Sequence, residues 1–158
     1  MENKVIFFHG SSEVVKIPEI RKTKFYKDFG FGFYCTLIEK QAVRWATRFL
    51  GKGIINKFEY KENSSLKILH FPKMTEEWLD FIVFCRSGKN HNYDIVEGPM
   101  ADDTIFNYVQ NFIDGKISRK NFWSLVEFKY PTHQICFHTA DALKCLSFLA
   151  ACEVKDEK

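Results

Sequence analysis

Apolar positions along the chain change their period several times, and each change marks an element. Val5-Ile6-Phe7-Phe8 is a continuous apolar run and predicts a buried strand. Ser11 to Lys27 is polar and basic, is broken by Pro18, and predicts a loop. Phe31 to Cys35 predicts a short glycine-flanked strand. Ala42, Trp45, Ala46 and Phe49 then recur at helical spacing and predict one buried helix face that ends at Gly51. Thr36 is the expected cap of that helix, with Glu39 three residues on as capping-box partner. Two strands are expected at Ile54–Tyr60 and Leu66–Phe71, around the polar turn Glu62-Asn63-Ser64-Ser65. Thr75 is expected to cap a helix carrying Trp78, Leu79, Ile82 and Val83. A strand over Tyr93–Val96 stops at Gly98-Pro99, and two short helices follow at about 102–113 and 118–126. The pattern closes with a strand at Gln134–Phe137, a helix capped by Thr139 and running through Lys144, and a strand at Leu146–Cys152. Short strands with helices at the periphery, and no regular alternation of the two, indicate the α+β class.

Composition narrows the setting more than the chemistry. A chain of 158 residues suits one domain, here 1–158, large enough to fold without a disulfide or metal staple. Hydrophobic content of 46% and aromatic content of 16% favour a packed core over disorder. A net charge of +3 permits nucleic-acid contact without demanding it. The five cysteines form no CxxC pair, which fits buried thiols in a reducing compartment. Four apolar residues before His9 are too few for a signal peptide, and no run approaches the roughly 20 apolar residues of a membrane span. A cytoplasmic protein with no membrane partner is therefore expected. His70, His91, His133 and His138 lack metal-ligand spacing with cysteine or carboxylate, so no metal is expected.

Three phrases can carry chemistry. His9-Gly10-Ser11 closes the first strand. A neutral imidazole at a strand end offers one donor and one acceptor, suited to a ribose hydroxyl. Gly10 lets a ligand approach its backbone closely, where N–H and C=O can hold a planar carboxamide. Ser11 adds a hydroxyl. The same three residues also suit an ordinary strand–turn junction. Asp28-Phe29-Gly30-Phe31-Gly32-Phe33-Tyr34 places a tyrosine after two glycines, a platform for a flat ring, or else simply an aromatic-rich turn. It is not a dinucleotide-binding G-x-G-x-x-G turn, because the third glycine is missing. His133-Gln134-Ile135-Cys136-Phe137-His138-Thr139 opens a buried strand with a polar residue that can face a cleft or merely sit at a strand edge. Between the first two phrases, Arg21 to Lys27 interleaves charge with aromatics, as a solvated loop or a phosphate-binding one.

In this order the phrases resemble the His–Tyr–Glu class of ADP-ribosyltransferases, the class of the poly- and mono-ADP-ribose polymerases and diphtheria-type toxins. The whole chain also resembles a small bacterial family, DUF3990. The shared phrases here are His9 to Ser11, Asp28 to Tyr34, Ala42 to Ala46, Tyr93 to Asp103 and Gln134 to Thr139.

The resemblance implies a split β-sandwich with peripheral helices and an NAD cleft between its sheets. It implies NAD+ as co-substrate and mono-ADP-ribosyl transfer to a macromolecular acceptor, protein or nucleic acid. An antitoxin or regulatory protein is an implied further partner. His9 would bond a ribose, Gly10 would clamp the nicotinamide amide, and Tyr34 would stack on the nicotinamide. Ser11, Gly32, Arg44 and Trp45 would complete the NAD site. Gln134 stands where the class has a glutamate, which makes His9, Tyr34 and Gln134 the catalytic set. An amide oxygen still accepts a hydroxyl proton but brings no full charge to a developing cation, and it is no general base. Restoring the charge with Gln134→Glu is therefore expected to speed nicotinamide release. Asp102 and Asp103 are candidates on the acceptor side, although acids opening a helix also serve its dipole; Glu127 is a weaker one. Two alternatives stand beside transfer: an NAD+ glycohydrolase, and a non-catalytic NAD or ADP-ribose module acting through a protein partner.

Overall fold

The structure, a computed structural model, describes residues 4–20, 27–100, 103–126 and 132–156. In chain order the elements are β1 (Val5–Ser11), β2 (Phe33–Cys35), α1 (Glu39–Thr47), β3 (Lys52–Tyr60), β4 (Ile68–His70) and α2 (Glu76–Arg86). They continue with β5 (Ile95–Gly98), α3 (Asp103–Ile113), α4 (Arg119–Val126), β6 (Gln134–Phe137), α5 (Ala140–Leu143) and β7 (Leu146–Lys155). The α+β class is as the sequence indicates.

Two sheets form. One is antiparallel in the order β1-β3-β7, and the other runs β2-β6-β5-β4 with a single parallel pair, β4 and β5, joined through α2. That pair forms a parallel strand–helix–strand unit, which the sequence pattern did not single out. The apolar alternation of the strands separates three cores. Phe7, Phe33, Phe58, Ile95, Ile135 and Phe137 pack together from facing strands of both sheets. Phe29, Trp78, Leu79, Ile82, Val96, Val109 and Phe122 bury the outer face of the second sheet under α2, α3 and α4. Ala42, Ala46 and Ile55 seat α1 on the outer face of the first. Among the described residues the sheets touch edge to edge at one bridge, Phe8 to Thr36, where each residue donates its N–H to the other's C=O at 2.8 and 2.9 Å.

Local signals set most helix ends. Thr75 accepts from Trp78 N and Thr139 from Ala142 N, as capping side chains should. Thr36 does not cap α1. The N-cap is Ile38, with no side-chain bond, because Thr36 is spent on the bridge to Phe8 and its hydroxyl accepts from Ile38 N at 3.0 Å. The expected apolar face of α1 is also shorter. The helix stops at Thr47, so Phe49 falls in the following turn and is 85% exposed against Arg48, while Gln41 is buried instead. Among the described residues no helix is long and apolar enough to cross a membrane.

Candidate functional site

His9 lies where β1 and β2 part. Its Nδ1 is 2.6 Å from Tyr34 O, so Nδ1 carries the proton and donates, which leaves Nε2 as the ring's acceptor. Its ring stacks on Phe33 at 4.1 Å between centroids. Gly10 follows on the same edge. Since Phe8 turns its N–H and C=O toward Thr36, strand alternation turns those of Gly10 the same way, away from β3 and into the gap. No described residue bonds them there. The missing Cβ of Gly10 serves a different neighbour from the one expected: a Cβ would strike the Ala42 carbonyl oxygen of α1. Glycine is needed for the helix to lie on the strand, while the edge of the same residue faces the gap.

Ser11 is tied into the scaffold. Its hydroxyl donates to Glu13 O and accepts from Asn56 Nδ2 at 3.1 Å. Buried Asn56 also bonds His9 O and Val15 N, which folds the next loop back and buries Val15. That loop frames an open recess of about 520 Å³ lined by Glu13 to Ile17 and Glu19.

The Gly30–Tyr34 turn is held by three side chains on three successive carbonyls. His91 Nε2 donates to Phe29 O at 2.9 Å, Tyr34 Oη to Gly30 O at 2.6 Å, and His138 Nδ1 to Phe31 O at 2.8 Å. Phe29 N returns a bond to the Tyr34 hydroxyl at 3.1 Å. Both histidines are thereby fixed as neutral tautomers: Tyr93 N donates to His91 Nδ1, and His138 Nε2 is enclosed without a partner. Burial lowers the pKa of both, that of His138 to about 4. Burial likewise raises the Tyr34 phenol well above its usual range. The Tyr34 ring, with Lys27 Nζ 5.2 Å from its centroid, is thus a fixed wall rather than an acid. Gly32 serves strand packing, since a Cβ would meet Cys136 Sγ and Phe137 O of β6.

Tyr34 and Gln134 share one face of neighbouring strands. Tyr34 pairs with Cys136, and Gln134 lies two residues before it. Gln134 is 4% exposed and donates from Nε2 to Asp28 Oδ2 at 3.4 Å. Asp28 in turn pairs with buried Arg86 of α2, whose Nε and Nη2 reach Oδ1 at 2.9 and 2.5 Å. His9 joins this group through the Tyr34 main chain; no direct contact between His9 and Gln134 is present among the described residues.

The sequence reading gave no role to Gln41, Glu97, Asp28 or Arg86. Gln41 uses its whole amide on the main chain of His133: Nε2 donates to His133 O, and Oε1 accepts from His133 N at 3.2 Å. His133 Nδ1 accepts from Leu37 N, so Nε2 donates to Glu97 at 2.7 Å, and this bond is the main reason the Glu97 carboxyl titrates low. This fixes α1 and β5 around the start of β6, next to Gln134. Asp28 and Arg86 lie 58 positions apart, and no local pattern relates them.

The remaining candidates stand apart from this cluster. Arg44 is exposed and Trp45 half-buried on α1. Asp102, Glu127 and residues 21–26 of the basic stretch lie outside the described residues; Asp103 opens α3. Among the described residues no group of three His, Cys, Asp or Glu is placed to hold a metal ion.

No curated protein matches the chain. One family model does, described as a protein of unknown function (DUF3990), over residues 5–148. The match takes in β1, the Gly30–Tyr34 turn, Asp28, Arg86 and β6, and the chain belongs to the DUF3990 family.

Proposed function

We propose that this protein binds NAD+ in the gap between β1 and β2, cleaves its nicotinamide–ribose bond, and transfers ADP-ribose to a macromolecule. The observation that carries this reading is the outward N–H and C=O of Gly10, on the unpaired edge beside His9 and Tyr34. A carboxamide needs one acceptor and one donor side by side, and one extended residue offers both. His9 Nε2 is the acceptor for a ribose hydroxyl. The Tyr34 ring, fixed through its hydroxyl, is the wall for a flat cationic ring. Gln134 accepts the 2′-hydroxyl as the C–N bond breaks, nicotinamide leaves with the bonding electrons, and C1′ becomes cationic. The acceptor nucleophile then closes on C1′ and loses its proton to a base.

The uncharged Gln134 favours a second reading, a module that holds NAD+ without turnover. One experiment separates these. Purified protein is incubated with NAD+ labelled in its adenylate, and nicotinamide and label are followed with and without cell lysate. Transfer predicts nicotinamide release and label on protein or nucleic acid. Free ADP-ribose alone marks a glycohydrolase, and saturable binding without nicotinamide marks the module. Neither binding nor release would remove NAD+ from the account.

A further inference from the structure

Resting on that NAD+ reading, we propose that Asp28 and Arg86 are positioning residues for Gln134, and that Asp28 is the reason position 134 carries an amide. Three side chains from three distant segments meet here, and all are nearly closed to solvent: Asp28 from the turn before β2, Arg86 from the end of α2, and Gln134 from the start of β6. The Asp28 carboxylate divides its oxygens. Oδ1 takes both guanidinium donors, and Oδ2 takes the Gln134 amide.

The chemistry fixes the amide's orientation. An amide oxygen facing a carboxylate oxygen would have no proton between them, so the NH2 must face Asp28 and Oε1 must face away. Among the described residues no side chain or main-chain group bonds Oε1, while the amide nitrogen is held on Asp28. Asp28 thus aims the acceptor that a 2′-hydroxyl would meet.

The same geometry reverses the expectation that Gln134→Glu speeds cleavage. A glutamate would set a second carboxylate 3.4 Å from the first, with no donor between them, and the two could not both ionise. The charge is already present, one side chain back.

A charge swap in the full chain tests this. Asp28→Asn, Gln134→Glu and the double variant D28N/Q134E are compared with wild type by thermal melting at neutral pH and by nicotinamide release. Each single variant is expected to melt several degrees low, the first by taking the Asp28 carboxylate away from buried Arg86 and the second by crowding two acids. The double variant restores one carboxylate and one amide to the site and is expected to melt above Q134E. In turnover, D28N is expected to lose about tenfold or more in kcat while NAD+ affinity stays within about twofold, because the amide loses its fixed direction rather than its contact surface. A double variant that melts at or below Q134E would overturn the proposal, as would wild-type kcat in D28N. If the wild-type protein neither binds nor cleaves NAD+, the NAD+ reading fails, and the melting comparison alone still decides the coupling of Asp28 to position 134.

Discussion

His138 and His91 respond to pH because burial disfavours their charged forms, even though each ring would still donate to its carbonyl when protonated. A second proton on His138 would enter an enclosed atom with no acceptor nearby, and one on His91 would break the bond from Tyr93 N. With a folded pKa near 4 against about 6.5 unfolded, the unfolded chain binds the proton first as pH falls. The stabilisation is therefore complete above about pH 6.5 and lost as pH drops through 4. For His138 it is on the order of 3–4 kcal/mol. Melting temperature measured from pH 7.5 to pH 4 should fall across this window, and His138→Asn should flatten the fall. An equal slope in the variant would remove His138 from the account. At this scale the sequence showed that histidines and a Gly-x-Gly-aromatic-Tyr phrase exist. It did not show that His91 and His138 clasp that phrase from some 60 and 107 positions away, because that pairing is made by tertiary packing alone.

Among the elements, α1 is seated through two missing Cβ atoms, at Gly10 of β1 against the Ala42 carbonyl and at Gly53 of β3 against the Ala46 carbonyl. Gly10 lets the Ala42 carbonyl sit directly against β1. Gly10→Ala should push α1 off the strand at a cost of about 1–3 kcal/mol, seen as a lower urea midpoint. An unchanged midpoint would mean that the helix yields and that the contact is not tight. Loss of NAD+ binding in that variant would say nothing of the clamp, since the strand edge moves with the helix. Elements set by local chemistry were legible: β6 spans Gln134–Phe137 as its apolar run indicates, and Thr75 and Thr139 cap as placed. Elements decided by distant partners were not. Thr36 looks like a cap until Phe8 claims its backbone, and Phe49 looks like core until the helix stops short of it. Gln134 was legible as a polar residue at a strand mouth, but not the buried Asp28–Arg86 pair behind it, since no periodicity links a turn, a helix end and a strand.

For the whole molecule, the defining arrangement is two sheets that share a core yet meet at one backbone bridge. Beyond that bridge, among the described residues, β1 keeps an unpaired edge at Gly10, next to His9, whose ring bonds the Tyr34 carbonyl. An unpaired strand edge is a place for a ligand to complete the hydrogen bonding. The net charge of +3 is compatible with an anionic dinucleotide but does not select it. NAD+ binding in this gap through Gly10, His9 and Tyr34 is what we propose for the molecule. Its most direct test is a calorimetric titration of NAD+ into the wild-type protein and into His9→Ala and Tyr34→Ala variants confirmed folded by circular dichroism. Wild type should bind NAD+ saturably at 1:1, and each folded variant should lose at least tenfold in affinity. Absence of binding to wild type, or wild-type affinity in either variant, would contradict it.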